Sequence, residues 1–523
     1  MRKIQILDST LRDGAQSDGI SFSLNDKINI IKSLDDMGID FIECGNPASN
    51  PKDRELFDYI NKTGFQLKNS KLTAFGSTRR KNTLVSEDPG CKALLAAGTP
   101  VVSIFGKSSL FHVKKILHTS DEENLKIIET TCRFFKDHGK MVIYDAEQFF
   151  DGYLHDPEYA VKTLLAAKNG GASSITLCDT NGGTLPDQIY SICSGVLPYL
   201  EGTPFGIHTH NDCGLAIANS IMAVDAGASQ VQGTFVGFGE RTGNANLSAI
   251  IPILQIKRGY MCIPPGSMEN LTSTARKIAE ISNVSLDRNM PFVGRNAFAH
   301  KAGMHADGVL KDRSAFEHIP PSSIGNKRRI LVSEMAGKSS VLHKVRKIYP
   351  DLSKDSPVLD QIVTKLKEKE QLGYQYEGAE GSFELLVRKA VEGPAPSFKL
   401  LDYIVVDELS SNDKSTSTAI VKLSINDVAN ISIAKGDGPV NSLDNSLRKA
   451  LSDFYPCLST VRLIDYKVRV TDSGSSTAAV VRVFITSTDG DDVWTTVGIS
   501  HDIIKASWFA LADSVEYKLL SSH

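Results

Sequence analysis

Gly38-Ile39-Asp40-Phe41-Ile42-Glu43 is the stretch that decides the fold, because its pattern keeps returning. An amphipathic helical segment, here Leu24–Met37, closes on a glycine, and a short apolar run follows at once. Gly98 precedes Val101-Val102-Ser103-Ile104-Phe105, and Gly139 precedes Met141-Val142-Ile143-Tyr144. Gly171 precedes Ile175-Thr176-Leu177-Cys178, and Gly227 precedes Val231-Gln232-Gly233-Thr234-Phe235. A glycine just past a helix accepts the left-handed turn that other residues resist, and the run after it reads as a parallel strand buried on both faces. Adding residues 4–11, 71–76 and 205–210 gives eight strands, most of them followed by helical stretches such as 157–168. Eight βα units in the first half of the chain predict a (β/α)8 TIM barrel over residues 1–265. The rival, an open doubly wound sheet, lacks its glycine-rich phosphate turn after the first strand.

A barrel gathers functional groups at the C-terminal ends of its strands. Arg12 and Asp13 fall there after strand one, Glu147 after strand five, and Asp179 and Thr180 after strand six. His208 and His210 lie on strand seven, and Glu240-Arg241-Thr242-Gly243-Asn244 follow strand eight. Residues i and i+2 of a strand share a face, so the two imidazoles of His208-Thr209-His210 converge, and Asp212 extends the same parity. A His-x-His strand with a carboxylate is a mixed nitrogen and oxygen set suited to a divalent transition ion.

Beyond the barrel, residues 266–397 are mostly helical and polar, with prolines at 320, 321, 350, 357, 394 and 396. This linker subdomain carries Gly303-Met304-His305-Ala306-Asp307-Gly308. Residues 398–523 then alternate like strands and contain a near-repeat. Positions 416–425 and 436–451 echo 475–485 and 498–511, predicting a separate α+β module of two similar halves.

Composition narrows the class. The 523 residues carry a net charge of −3, which disfavours electrostatic capture of nucleic acid or an anionic membrane. No apolar run is long enough to span a bilayer, and a strand begins by Ile4, leaving no room for a signal peptide. The eight cysteines are scattered without paired spacing and most sit in apolar patterns, as expected of free thiols in a reducing cytoplasm.

Three motifs in order then carry a family resemblance. Leu7-Asp8-Ser9-Thr10-Leu11-Arg12-Asp13-Gly14-Ala15-Gln16, His208-Thr209-His210-Asn211-Asp212 and Gly237-Phe238-Gly239-Glu240-Arg241-Thr242-Gly243-Asn244 resemble the Claisen-condensing metallo-barrels. That family includes the 2-isopropylmalate, homocitrate and citramalate synthases, with hydroxymethylglutaryl-CoA lyase as a cousin. The C-terminal repeat is similar to the allosteric domain of the synthases, which the lyases lack. Within the family, Gly19-Ile20-Ser21-Phe22-Ser23, Tyr144-Asp145-Ala146-Glu147-Gln148-Phe149-Phe150-Asp151-Gly152 and Thr180-Asn181-Gly182-Gly183 are most similar to the citramalate branch.

The resemblance implies condensation of acetyl-CoA with pyruvate and water to citramalate and CoA, a step of threonine-independent isoleucine biosynthesis. The nearest alternative is the leucine-pathway reaction with 2-oxoisovalerate. It implies a divalent metal ion (manganese, magnesium, zinc or cobalt) held by Asp13, His208 and His210, with Asn244 a weaker ligand. Arg12 would face the developing oxyanion, Thr180 the substrate carboxylate, and Glu147 and His305 would divide the proton transfers, His305 reaching a neighbouring subunit of a homodimer or larger oligomer. The C-terminal module would bind isoleucine, with Gly436-Asp437-Gly438-Pro439-Val440-Asn441 as a candidate effector loop. Selection of pyruvate over 2-oxoisovalerate needs a wall. Tyr144 is the bulky candidate, helped by Phe75 and Phe105, although strand parity sets Tyr144 opposite Glu147 unless a bulge intervenes.

Each residue also has a plainer reading: Arg12–Asp13 as a structural ion pair, Glu147 as a helix cap, His305 as a hydrogen-bonded linker residue, Asn244 as a turn residue and Glu43 as a buttress for Arg12 or a balance of barrel charge. A barrel kept only as a sensor would need a broken metal site, and no expected ligand is missing.

Overall fold

A computed structural model describes residues 1–521 apart from 301–304, 306–307, 310, 331–337, 394–395, 410–414, 472–478 and 491. The first half closes into a parallel barrel of eight strands: β1 (Gln5–Asp8), β2 (Phe41–Glu43), β3 (Lys71–Ser77), β4 (Val101–Lys107), β5 (Met141–Glu147), β6 (Ser174–Asp179), β7 (Phe205–Thr209) and β8 (Gln230–Gly233). Each strand pairs with its successor in sequence, and β8 returns to β1 with Leu7 opposite Gln232. The glycine pattern works as expected at Gly38. Ser23 and Asp26 form a capping box at the start of the helix Leu24–Met37, a device that stabilises by about 1 kcal/mol. Gly38 ends that helix at φ +78° and hands the chain to β2.

Alternation along the strands sorts side chains into two populations. Outward residues such as Ile6, Ile42, Val102, Ile104, Val142 and Ile175 pack against the helices in one continuous core. Inward residues change character along the barrel axis. Leu7, Phe41, Val101 and Ile143 plug its N-terminal end. Further along, the interior turns polar, with Glu43, Ser103, Asp145, Thr176 and Gln232 all buried. Gln232 Nε2 donates to Asp145 Oδ1 and to Thr176 Oγ1, both at 2.9 Å, and Ser103 Oγ donates to Asp145 Oδ2 at 2.8 Å. This bonded layer is the floor of the barrel mouth.

The barrel unit reaches past the expected boundary at 265. It comprises Met1–Phe298 with Ile319–Lys327, because Leu271, Ala275 and Ile278 of the helix Leu271–Ile281 bury themselves in the barrel's own core. The second unit comprises Ala299–His318 and Arg328–His523. Within it, helices Lys338–Val345, Pro357–Gln371 and Glu380–Val391 share a small core of Val341, Leu359, Ile362, Phe383 and Val387. The repeat follows, as two three-stranded antiparallel sheets with one helix each: strands Lys399–Leu409, Ser415–Ile425 and Val428–Gly436 with helix Pro439–Leu451, then strands Arg462–Val470, Val481–Thr488 and Val493–Ser500 with helix Ile503–Ser521. The first strand of each half slips register at the same place, Leu400/Asp402 and Leu463/Asp465. Among the described residues no helix is long and apolar enough to cross a membrane.

Candidate active site

The loop after β1 turns tightly, with the Arg12 and Gly14 N–H groups both bonding Ser9 O, and it projects Arg12 and Asp13 over the polar floor. Arg12 is a hub. Its Nε donates to Glu43 Oε2 at 2.6 Å, its Nη1 to Asp13 Oδ2 at 2.8 Å, and its guanidinium carbon sits 3.9 Å from the centroid of the Phe75 ring. Burial disfavours the charge on Arg12, but Glu43 and Asp13 outweigh it and leave the guanidinium firmly protonated. Glu43 is fully buried and also accepts from Ser9 Oγ at 2.6 Å, so it buttresses Arg12.

Two strands away from the β1 loop, β7 presents His208 and His210 as parity requires. Their Nε2 atoms stand 3.3 Å apart, and Asp13 Oδ2 lies 3.7 Å from one and 3.9 Å from the other. Burial and the adjacent imidazole push His208 down to about 3, and burial also lowers His210. Burial would raise Asp13, yet Arg12, the two histidines and the Asn244 amide hold it below the usual carboxylate range. Two neutral imidazoles and one ionised carboxylate are the protonation states a divalent cation requires of its ligands. Nitrogen ligands at about 2.1 Å from one ion stand roughly 3.0–3.5 Å apart, and the imidazole pair already has that spacing. All three ligand atoms fall within 4.8 Å of one another, and no other such cluster of His, Cys, Asp and Glu occurs among the described residues.

These groups open into a cavity of about 310 Å³ whose wall includes Arg12, Asp13, Glu147, Thr180, His208 and His210. Phe75 and Phe105, stacked at 5.2 Å, form its apolar side. Glu147 ends β5 opposite Lys107 of β4, with Lys107 Nζ 2.6 Å from Glu147 Oε2. It does not cap the following helix, whose cap position is Gln148. Thr180, which lines the cavity, accepts the Gln148 N–H on Oγ1 at 2.9 Å, so its hydroxyl proton is still available to donate.

Two expectations change, those for Tyr144 and Asp212. Tyr144 is no pocket wall: β4 and β5 pair without interruption from Val101↔Met141 to Lys107↔Glu147, so no bulge rotates it inward. It is fully buried on the outward side of the strand, where its ring and hydroxyl occupy the space beside Gly106. Asp212 leaves the histidine face because β7 ends at Thr209, and it pairs instead with Arg241 Nε at 2.8 Å. Asn244 meets the cluster with Nδ2 donating to Asp13 Oδ1 at 2.7 Å, so it braces Asp13, and its buried Oδ1 has no hydrogen-bond partner. His305 belongs to the second unit, where it is exposed and its ring stacks on Phe316 at 4.4 Å; Gly303, Met304, Ala306 and Asp307 of its motif lie outside the described residues.

Asp145, Asn46, Gln16 and Lys107 were not singled out from the sequence. Asp145 shares parity with Glu147 and was legible on that ground. Lys107 shares parity with Phe105 but needed a strand two residues longer than its apolar run suggests. Asn46 and Gln16 sit in loops, where no periodicity marks them.

Comparison with known proteins agrees with this architecture. A family model described as HMGL-like matches residues 3–284, one described as homocitrate synthase post-HMGL domain-like matches 292–373, and one described as LeuA allosteric (dimerisation) domain matches 377–519. An (R)-citramalate synthase of Aquifex aeolicus is 50% identical over 99% of this chain and 98% of its own length. An (R)-citramalate synthase of Synechocystis is 46% identical over 98% of this chain and 96% of its own length. A probable 2-isopropylmalate synthase of Methanosarcina mazei is 31% identical over 98% of this chain and 95% of its own length. With Asp13, His208 and His210 clustered at the mouth of an HMGL-like barrel and an allosteric-type module following it in the chain, the chain belongs to the citramalate synthase family of acyl-transferring, carbon–carbon bond-forming enzymes.

Proposed function

We propose that this enzyme condenses acetyl-CoA with pyruvate and water to give citramalate and CoA, in the threonine-independent route to isoleucine. The observation that carries this reading is the convergence of Arg12, Asp13, Glu147, Thr180, His208 and His210 on one cavity. The relatives named for this reaction are also markedly more similar than the one named for 2-isopropylmalate synthesis.

Asp13, His208 and His210 are the residues to hold a divalent metal ion. Manganese, magnesium, zinc and cobalt all suit such a donor set. An ion bound there supplies Lewis-acid polarisation of a keto oxygen. The chain's own groups account for the rest. Arg12, fixed by Glu43 and Asp13 in the cavity wall, would donate a remaining guanidinium N–H to the oxygen that gains charge; a donor preorganised in this way contributes about 3–4 kcal/mol to the barrier reduction. Thr180 donates its hydroxyl proton to the substrate carboxylate. Glu147 Oε1, which makes no hydrogen bond among the described residues, receives the methyl proton, while Lys107 steadies Oε2. His305 is the second group for proton transfer, supplied to the site of a neighbouring subunit.

The second unit supports self-association and regulation. One face of its first sheet exposes Ile404, Val406, Ile431 and Ile433, a patch suited to pairing with another copy in a homodimer or larger assembly. The loop at Gly436–Asn441 borders a cavity of about 440 Å³ lined by Asn441, Asp444, Arg448, Arg462 and Tyr466, the place proposed for isoleucine. Six of the eight cysteines are buried and all are free, in keeping with the cytoplasm.

The test is CoA release from acetyl-CoA with pyruvate, 2-oxobutyrate, 2-oxoisovalerate and 2-oxoglutarate in parallel, before and after chelation. Pyruvate should be preferred, and activity should vanish with chelator and return with a divalent ion. Preference for 2-oxoisovalerate would move the enzyme to the leucine pathway.

A further inference from the structure

The loop between β2 and the helix Pro51–Thr63 reaches the mouth through one residue, Asn46, which lines the cavity. It is held with unusual firmness. Asp53, only 5% exposed, accepts the Asn46 backbone N–H at 2.7 Å and ion-pairs with Lys27, itself 3% exposed. Gly45 lets the backbone come this close: its φ is +121°, and a β-carbon there would lie 2.2 Å from Asp53 Oδ2. The Asn46 side chain is fixed as well. Its Oδ1 accepts the N–H of Ala48 at 3.0 Å and that of Ser49 at 3.3 Å, closing an Asx turn. An amide whose oxygen is committed to two backbone donors has only its NH2 left to offer. Nδ2 makes no hydrogen bond among the described residues.

We infer that Asn46 is a substrate-binding residue whose Nδ2 donates to the thioester carbonyl oxygen of the acyl-CoA substrate, aimed by the buried Lys27–Asp53 pair. The inference rests on the proposed condensation and adds to it the group that receives the thioester. The two substrates present different acceptors. The 2-oxo acid is an anion, matched by Arg12, Thr180 and the metal ligands. The thioester oxygen is neutral until the methyl proton leaves, and a neutral amide binds it without demanding a countercharge. Of the two amides on the wall, Asn46 and Gln16, Asn46 is the one locked by its own loop. The ion pair beneath has a corresponding purpose. Two buried charges add little net stability over packed apolar groups; what this pair supplies is a fixed carboxylate from which the loop hangs.

Asn46→Asp tests the assignment in the full chain, because it keeps an oxygen for Ala48 and Ser49 while replacing the donor by a second acceptor. Acetyl-CoA KM, and its Kd by calorimetry, should rise about tenfold, the size of one lost hydrogen bond, with the pyruvate KM unmoved. Work at high salt screens any through-space repulsion between the new carboxylate and the CoA phosphates. The paired variant Lys27→Met/Asp53→Leu removes both buried charges together, so the fold is retained, and it should raise the acetyl-CoA KM in the same direction at little change in thermal midpoint. Unaltered acetyl-CoA affinity in Asn46→Asp, or an effect confined to pyruvate, overturns the assignment. A lowered midpoint with unchanged KM in the paired variant reduces Lys27 and Asp53 to a structural pair. A natural chain that releases no CoA from acetyl-CoA and pyruvate overturns the underlying reaction instead.

Discussion

Replacing Arg12 by alanine should damage the enzyme in two ways that a second substitution can separate. Arg12 is the charge partner of Glu43, whose side chain is 0% exposed, through a 2.6 Å contact. Without it Glu43 keeps only the Ser9 hydroxyl, since its Oε1 has no hydrogen-bond partner even in the intact protein. Stranding a buried carboxylate in this way costs about 3–5 kcal/mol of barrel stability. Turnover should fall by roughly 10²–10³ through loss of the donor to the developing oxyanion. Adding Glu43→Gln removes the stranded charge, so most of the stability should return while turnover stays low. Trp494 and Trp508 are the chain's tryptophans and both lie in the second unit, so their fluorescence does not report on the barrel. Hydrogen exchange of peptides covering β1 and β2 measures the opening free energy where it matters, and thiol release from acetyl-CoA measures turnover. If Arg12→Ala leaves exchange in these strands unchanged, Glu43 does not depend on it. If Glu43→Gln restores turnover together with stability, Arg12 acts only through the fold.

Tyr144→Ala should cost about 3–5 kcal/mol by emptying the space between sheet and helices, yet leave the ratio of pyruvate to 2-oxoisovalerate use unchanged. Phe105→Ala, in the cavity wall, should shift that ratio roughly tenfold toward the larger acid; the opposite pattern in parallel rate assays would return Tyr144 to the pocket. Burial raises Asp8 from 3.8 to about 7. A carboxyl raised on folding contributes fully below its unfolded value and loses that contribution as pH climbs through the folded one. Barrel stability relative to Asp8→Asn should therefore fall by up to roughly 4 kcal/mol between about pH 4 and pH 7, and a pH-independent difference would show that Asp8 titrates normally. Truncation near residue 400 should leave some condensation and abolish inhibition by isoleucine, whereas inhibition that survives the cut would place the effector elsewhere.

What the sequence made legible follows from where periodicity holds. Inside a strand, parity dictates direction, so His208 and His210 could be paired from their spacing, and Tyr144 could have been placed outward by the same rule had no bulge been allowed for. The rule stops with the strand. Asp212 lies three residues past the end of β7 and turns to Arg241, a loop contact that no spacing announces. Asn46 is aimed by Asp53, seven residues along the chain, and by Lys27 on another helix. Asn244 is likewise oriented by Asp13, 231 positions away, and which amide atom it offers depends on that contact alone. Residues inside strands, Asp145 and Tyr144 included, have directions set by their own backbone and were open to reading, whereas the loop residues Asp212 and Asn46 are set by a distant partner. The barrel mouth combines both: strands supply the imidazoles, Glu147 and the Glu43 partner of Arg12, while the loops bring Arg12, Asp13 and the Asn244 amide that bonds Asp13. Losing a loop brace such as Asn244 should then leave the imidazole pair in place and weaken the set through Asp13 alone, so Asn244→Ala should lower metal affinity about 10- to 100-fold without abolishing binding. Complete loss of bound metal in that variant, measured by elemental analysis, would mean Asn244 coordinates directly and its amide turns over when the ion is present.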